Sequence, residues 1–260
     1  MRRHQTRKER SKAIKEAMIR LAMESDDFRL ASSRFQMCLA RQIGSAGMVG
    51  DADPAAYCKL VICEPCQSAR FSEEHSDLLA RISAKLRQGF KGTVISVTLS
   101  SPISSLHAAE SIVDRMLRAW SRFSDRKGFQ SVAEGYARTV RLEVDIQADA
   151  AACHTSILML AVRTHRLQTS QDWHLAWARN AGCEADRVTH FNVVSAAAPT
   201  ALGQISAETQ RITRIGIDPG ELCEFVDTKP TCDPRKLKQI MRALRGRKLI
   251  RACRDLATID

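Results

Sequence analysis

The chain has 260 residues, of which 44% are hydrophobic and 27% charged, a balance that suits a globular protein with a buried core. Its net charge of +11 favours an anionic partner, most simply nucleic acid, whereas its low aromatic content of 5% disfavours a surface built on base stacking. No stretch approaches the roughly 18 consecutive apolar residues of a membrane helix, so we expect a cytoplasmic protein that does not contact a membrane.

The first third of the chain is predicted to be mainly helical. Apolar residues recur at helical spacing over residues 5–24, opposite a face rich in lysine and arginine, which predicts an amphipathic basic helix. That basic face is either simply solvated or a contact for nucleic acid. Residues 44–56 are small, polar and rich in glycine, which predicts a loop. A second long helix is predicted over residues 72–88.

The remainder of the chain is predicted to contain strands and helices in the order β-α-β-β-α-β-α. Strands are predicted where β-branched residues alternate with others, and helices where apolar residues repeat at three- and four-residue spacing. The predicted strands are 93–101, 135–146, 154–164 and 189–198. The predicted helices are 105–127, 170–182, 206–215, a start of helix at 221–228, and a basic segment over 234–257 with a break at Gly246. This order predicts an α+β fold with helices outside a mostly antiparallel sheet and basic helical segments at both ends.

Three cysteines lie close together in the sequence YCKLVICEPCQSAR. Cys63 and Cys66 form a Cys-x-x-Cys pair, which places two thiolates on one turn as a tetrahedral zinc ion requires, and Cys58 could supply a third sulfur. Cys38 or His75 could supply the fourth ligand. The alternative is a set of reduced thiols without metal. A thioredoxin-like redox pair is less suitable, because the motif does not follow a strand of a βαβ unit.

Five segments together resemble a known family. VISVTLSS, MLRAWSRF, EGYARTVRLEVDI, CHTSILMLAV and QDWHLAWARNAG are similar, in order and spacing, to the replication initiators of rolling-circle plasmids, which belong to the HUH single-strand endonucleases. The preceding CEPCQSAR resembles a cysteine pair found before the nuclease core, and the later ELCEFVDTKP resembles the segment that carries the nucleophile. The resemblance covers about residues 55–232.

This resemblance implies a fold and a reaction. The fold is a five-stranded antiparallel sheet with helices packed on it. Histidines on a central strand, helped by an acid or another histidine, would hold Mg²⁺ or Mn²⁺, which polarises the scissile phosphate. A tyrosine would attack that phosphate and leave a 5′-phosphotyrosine and a free 3′-OH.

The residues that would cut DNA depart from the family pattern. The paired histidines of the family correspond here to His154 and Ser156, so a hydroxyl replaces the second imidazole. Glu143 stands on the neighbouring strand where the family has an acid, and we therefore predict His154 and Glu143 as ligands of the divalent cation. Alternatively, His154 is only a structural residue of its strand.

The nucleophile position is also altered. It is occupied by Phe225, which has no oxygen and cannot form a phosphotyrosine, and Lys229 matches the lysine that follows the nucleophile in the family. Ser156 or Thr228 could supply a substitute hydroxyl.

The resemblance divides the chain into four predicted parts. They are a basic helical segment (1–45), a cysteine-containing knuckle and helix (46–90), a nuclease-like core (91–232) and a basic C-terminal helical segment (233–260). The predicted contacts with nucleic acid lie in the last part, at Arg235, Lys236, Lys238, Arg242, Arg245, Arg247 and Lys248.

The predicted function is therefore plasmid replication by a rolling-circle-type initiator that binds origin DNA, single-stranded or as a hairpin, with host replication proteins as further partners. One alternative is a DNA-binding regulator or partner protein on the same fold, without enzymatic activity. Another is an RNA-binding protein, which fits the charge but has no supporting motif.

Overall fold

The structure, a computed structural model, describes residues 2–44, 58, 60–162, 167–181, 187–214, 216–226, 229–254 and 256. The loop predicted over 44–56 lies outside these residues apart from Gly44, and Thr228 lies outside them as well. No helix in this part of the chain combines the length and apolar character needed to cross a bilayer.

An antiparallel sheet forms the centre of the molecule. The strands are β1 (Thr93–Ser100), β2 (Ser104–Ser105), β3 (Ala133–Asp145), β4 (Ala150–Ala161), β5 (Arg187–Ser195), β6 (Glu224–Val226), β7 (Lys229–Thr231) and β8 (Ile250–Arg254). Five of them lie side by side in the order β5-β1-β4-β3-β8, and β2 pairs with the start of β4. The predicted α+β fold with a mostly antiparallel sheet of five main strands is confirmed.

Helices cover both faces of this sheet. They are α1 (Arg2–Glu24), α2 (Arg29–Gly44), α3 (Glu64–Arg87), α4 (Ala109–Ser124), α5 (Lys127–Gln130), α6 (Ser170–Ala181), α7 (Ala201–Ile212) and α8 (Pro234–Leu244). Side chains of β4 alternate between two apolar cores, as expected for a strand buried on both faces. Ile157 and Met159 pack in a core with α4, α6 and α8, and Leu158 and Leu160 in another with α3 and α7.

The larger core contains a cluster of aromatic rings. The Trp120 ring packs edge-on against Tyr136 at 5.4 Å between centroids, and the Phe123 ring lies 5.7 Å from Trp177. Tyr136 is therefore a packing residue, and Trp173 is fully buried in the same cluster. Burial of such rings supplies both apolar area and specific geometry, so this cluster fixes how α4 and α6 sit on the sheet.

The N-terminal helix shares this core. Ile14, Met18 and Leu21 on one face of α1 are buried in the same cluster as the sheet residues, and α1 packs against α2, α8 and β7. The division of the chain at residues 45, 90 and 232 stays a prediction.

Two helix predictions are wrong in part. The segment 221–228 was expected to open a helix, but Pro219–Leu222 forms a short 3-10 turn and Glu224–Val226 is strand β6, paired with β7. Proline at 219 and 230 and the strand-favouring pair Phe225-Val226 explain the difference.

The basic segment predicted as helix over 234–257 is helical only as far as Leu244. Asp233 caps α8 by accepting from the Arg235 N–H at 2.8 Å, and the chain turns at Gly246, whose φ is +71°. Ile250–Arg254 then form β8 along the edge of β3. Without β8, the edge of β3 would leave backbone groups unpaired, and this favours a strand over a helix at residues 250–254. The sequence of the terminal segment does not show that this edge is available.

Candidate functional site

One face of the sheet packs against α3 and α7. At one end of the sheet, the side chains on this face are polar instead of apolar. Cα atoms of Ser100 on β1, His154 on β4 and Arg141 on β3 lie opposite one another in the ladder. Because side chains of directly paired residues project from the same face, these three polar groups share one face of the sheet. Glu143, two residues after Arg141, projects from that face too.

His154 is held at both of its ring nitrogens. Nε2 lies 2.9 Å from Glu143 Oε2, and Nδ1 lies 2.7 Å from Ser100 Oγ. Ser100 Oγ is also 2.7 Å from Thr189 Oγ1 at the bulge in β5. The pKa of His154 lies below its ordinary value, because the effect of burial exceeds the opposing effects of the Glu143 charge and hydrogen bond. The imidazole is therefore neutral near pH 7.

The predicted cation ligands are thus brought together as expected. His154 and Glu143 offer two donors, and a divalent cation usually takes six or more. Within the described residues, the one group of three or more histidine, cysteine or acidic ligands close enough for a shared metal consists of cysteines elsewhere. A cation here would take its other ligands from hydroxyls and water, so the assignment of Mg²⁺ or Mn²⁺ to this pair stays a prediction.

Phe225 and Lys229 lie on the β6–β7 hairpin. The Phe225 side chain is 47% exposed, and Lys229 pairs with Val226. Thr228 lies outside the described residues. The other substitute hydroxyl, Ser156, bonds to Thr98 Oγ1 at 2.9 Å rather than to an imidazole.

The turn that precedes this hairpin is tied to β3. Glu221 accepts from the Arg141 guanidinium at 2.6 Å and from the Val144 N–H at 3.1 Å. Burial raises the pKa of Glu221, and these two donors oppose the rise. The turn that precedes Phe225 is therefore anchored to β3 through Glu221, a residue that no sequence motif singled out.

A second polar network on the same face was also not predicted. The Glu208 carboxylate on α7 accepts from Asn192 Nδ2 at 2.9 Å and from Arg211 Nε at 3.0 Å, and it lies 3.0 Å from His190 Nε2. Arg211 also donates to Thr98 Oγ1 at 2.7 Å. Together these groups satisfy the polar atoms between α7 and β5, and the signal that could have found them is the i, i+3 spacing of Glu208 and Arg211.

Four cysteines meet between α2, α3 and the loop before α3. Cys38, Cys58, Cys63 and Cys66 are all buried, and their sulfurs lie within 4.8 Å of one another. The sulfurs of Cys58 and Cys66 are 3.3 Å apart. Cys38 therefore provides the fourth sulfur, and His75, the other residue considered, is not in the group.

The electrostatics of this cluster fit a metal ion. The Cys63 hydrogen bond lowers the pKa of Cys58, but its bond to Cys66 and its burial outweigh that effect and raise the pKa to about 12. The hydrogen bond to Cys58 and burial likewise raise the pKa of Cys63. Thiolates in this position need a cation to balance their charge, and four cysteine sulfurs are a usual ligand set of structural zinc. The residues present can therefore hold one metal ion.

The basic residues of the C-terminal segment divide into two groups. Arg247 is held by Asp114 at 2.8 Å and by Glu110 at 3.3 Å, and Lys236 lies 3.2 Å from Glu224. The remaining predicted contacts are exposed, apart from the half-buried Lys238: Arg235, Arg242, Arg245 and Lys248. The structure thus uses two of the seven cations to join elements of the fold.

Comparison with known protein families identifies the family of this chain. A family model described as a replication protein matches residues 51–260, which is most of the chain. The chain belongs to this family of plasmid rolling-circle replication initiators. Neither the comparison with curated proteins nor that with solved structures found a match.

The residues matched by the family model include the sheet, the polar face and three of the four clustered cysteines. Cys38 precedes the matched residues. The fourth cysteine of the cluster, Cys38, is therefore supplied by helix α2, which lies outside the residues matched by the family model.

Proposed function

We propose that this replication protein binds the origin of its plasmid and does not cleave it by the tyrosine reaction of its family. The observation that carries the proposal is Phe225, an exposed ring without oxygen on a hairpin tied to the strand beside His154. A phenyl ring can pack against a base or sugar but cannot attack a phosphate.

The exposed cations of α8 and the turn after it support binding to DNA. Four side chains in this region are exposed: Arg235, Arg242, Arg245 and Lys248. Arg242 and Arg245 are three residues apart at the C-terminal end of α8. Contacts of this kind neutralise phosphates and make affinity fall with salt, but they carry little sequence information.

A cleft beside the polar face offers room for a single strand. Its volume is about 320 Å³, and its lining includes Arg141, Arg214, Gln67 and Phe71. Arg141 lies opposite His154 in the ladder, so the cleft adjoins the face on which His154 and Glu143 meet. An unpaired strand passing through the cleft would place a phosphate near these groups, with the aromatic ring of Phe71 available for a base.

Two further parts of the proposal follow the family. His154 and Glu143 would hold Mg²⁺ or Mn²⁺ when DNA supplies phosphate oxygens, and the four cysteines would hold a structural zinc ion. The protein would act in the cytoplasm with host replication proteins.

The test scores binding and covalent attachment separately. The full chain is incubated with a hairpin from its plasmid origin, with and without Mn²⁺, and analysed by native and denaturing gels. We expect a mobility shift in both conditions and no phosphotyrosine adduct. Absence of a shift at low salt would contradict DNA binding, and an adduct mapped to a tyrosine would contradict the loss of the family reaction.

A second candidate is a DNA-binding regulator without any cleavage, which Phe225 also favours. The two candidates differ in whether a plasmid that carries the origin but lacks this gene replicates when the protein is supplied separately. Replication that depends on the protein favours the initiator, and replication that is only changed in copy number favours the regulator.

A further inference from the structure

Two cysteines face each other at the base of the β6–β7 hairpin. Within the hairpin, Glu224 pairs with Thr231. The same antiparallel register, continued by one residue, sets Cys223 opposite Cys232, and the backbone of Cys223 is extended, with φ −124° and ψ 134°. Residues directly opposite each other in antiparallel strands have Cα atoms about 4.5 or 5.5 Å apart, and a disulfide can span either separation.

The two thiols already interact, and they are not equivalent. The Cys232 thiol donates a hydrogen bond to the Cys223 sulfur, which holds the pKa of Cys223 below its ordinary value against the effect of burial. The charge of Arg10 on α1 acts in the same direction. The hydrogen bond to Cys223 and burial raise the pKa of Cys232. Cys223 is therefore the more reactive sulfur, and Cys232 retains its proton.

We propose that Cys223 and Cys232 are an oxidation site, at which a peroxide converts the two thiols into a reversible disulfide that closes the base of the hairpin. The proposal goes beyond the binding of DNA and does not depend on it. Because the hairpin carries Phe225 and Lys229, the redox state of the pair sets how firmly these residues are held. In a reducing environment the pair rests as thiols.

The location of the pair suits reversible oxidation. The Cys223 sulfur lies against α1, 3.9 Å from the carbonyl oxygen of Arg10, and is not part of the four-cysteine cluster. Cys223 is 9% exposed and Cys232 is half-buried, so a small oxidant can reach the pair from the surface. The two strands of the hairpin have only three residues each, and short elements of this kind open locally at low cost in free energy.

The reaction is balanced in two steps. The Cys223 thiolate attacks one oxygen of hydrogen peroxide, the oxygen–oxygen bond breaks, and the leaving oxygen takes up a proton to become water. The product is a sulfenic acid on Cys223. The Cys232 sulfur then attacks the Cys223 sulfur, and the hydroxyl leaves as water with the Cys232 proton. Two thiols are oxidised to one disulfide while one peroxide is reduced to two water molecules, and a small dithiol reverses the change.

Peptide mapping of the oxidised protein tests the site. The folded full chain is treated with a small excess of hydrogen peroxide, its free thiols are blocked, and it is digested with trypsin. Both cysteines stay in one peptide, residues 215–235, because Pro230 protects the bond after Lys229. We expect this peptide to lose two hydrogens and to regain them with dithiothreitol. Unchanged thiols at both positions, or a link from either one to another cysteine, overturns the proposal.

Single variants identify the reactive sulfur. Cys232→Ser removes the thiol that completes the disulfide, so a sulfenic acid should persist on Cys223 and be trapped by dimedone. Cys223→Ser should give no dimedone adduct at Cys232. Cys253→Ser changes another half-buried thiol and is the matched control, which should form the disulfide at the wild-type rate. Circular dichroism confirms that each variant is folded. Equal dimedone labelling of Cys223→Ser and Cys232→Ser overturns the role given to Cys223.

Hydrogen exchange measures the effect of the disulfide on the hairpin. Amides of residues 221–233 should exchange about tenfold or more slowly in the oxidised protein, because a disulfide that closes a short loop restricts local opening. Amides of α4 should exchange equally in both forms. A disulfide that leaves the exchange of the hairpin unchanged overturns the claim that oxidation locks this element.

Discussion

The Arg141 guanidinium lies 2.6 Å from the Glu221 carboxylate, and this ion pair joins the turn before the β6–β7 hairpin to the strand that carries Glu143. The same carboxylate accepts from the backbone of Val144. One side chain therefore holds the turn before the hairpin against β3.

Glu221→Gln should weaken this connection. The change removes the charge of a partly buried ion pair, and hydrogen bonds to charged groups contribute about 2 kcal/mol each. We expect the free energy of unfolding in urea to fall by about 2 kcal/mol. Glu134→Gln, at an exposed carboxylate on β3, is the matched control and should be neutral. An unchanged midpoint for Glu221→Gln would show that the turn is held by its apolar contacts instead.

Phe225→Tyr restores an oxygen at the family's nucleophile position. If the hairpin brings this residue to the scissile phosphate, the variant should form a covalent adduct with the origin hairpin that contains phosphotyrosine. The adduct is detected on a denaturing gel and mapped by mass spectrometry. Tyr136 provides the internal control, because its ring is buried among aromatic side chains and should stay unmodified. A variant that binds DNA like wild type but gives no phosphotyrosine would place residue 225 away from the cleavage position.

Glu208 should make stability depend on acid pH. Burial raises its pKa, but hydrogen bonds from Asn192, Arg211 and Ser96 outweigh burial and hold the pKa below its ordinary value. A depressed folded pKa means that the contribution is complete above the unfolded pKa, about 4.3, and is lost as pH falls through the folded value. We expect Glu208→Gln to destabilise the protein at pH 7 by about 1 kcal/mol and to lose less stability than wild type between pH 5 and pH 3. Parallel loss of stability in both proteins, measured by urea unfolding, would contradict this assignment.

Metal removal should destabilise the protein through the four cysteines. Purified protein should contain one zinc ion per chain, and a chelator should lower the unfolding free energy by about 3 kcal/mol, or Tm by about 10 °C. Cys38→Ser should act like the chelator, because Cys38 supplies one of the four sulfurs. Cys253→Ser changes a half-buried thiol outside the cluster and should keep both the zinc and the Tm. Wild-type protein without bound metal and insensitive to chelator would identify the cluster as reduced thiols.

The exposed and the paired arginines of the C-terminal segment should behave differently. Replacing Arg242 and Arg245 by alanine removes two exposed charges, so DNA affinity should fall. The slope of log affinity against log salt should decrease by about 0.7 to 0.9 for each phosphate that is no longer neutralised. Arg247→Ala breaks ion pairs with Asp114 and Glu110 and should lower stability with little change in the salt slope. Equal effects of the two changes on the slope would show that the internal ion pairs open when DNA binds.

Much of the fold could be predicted because its signals are local. The alternation of β4 and the helical spacing in α4 and α6 are properties of single segments, and the segment order then identified the sheet. The partnership of His154 with Glu143 followed because β3 and β4 are consecutive strands. The pairing of Ser100 with His154 depends on the register between β1 and β4, which lie far apart in the sequence, and no local pattern specifies it.

The remaining errors have the same origin. Strand β8 exists because β3 has an open edge, and the cations in its sequence are equally compatible with a helix. Cys38 joins the other three cysteines only because the fold brings its sulfur to 3.5 Å from that of Cys66, and this approach is not visible in the sequence. The role of Glu221 could not be predicted, because it depends on a contact with Arg141, which is distant in the sequence.

Equilibrium binding of a fluorescently labelled single-stranded hairpin from the plasmid origin tests the proposed function most directly. Anisotropy is followed over a titration of salt, without added Mg²⁺ or Mn²⁺ so that binding alone is scored. We predict tight binding at low salt, with log affinity falling linearly with log salt concentration. A constant low anisotropy at the lowest salt, with protein that circular dichroism shows to be folded, would contradict DNA binding by this replication protein.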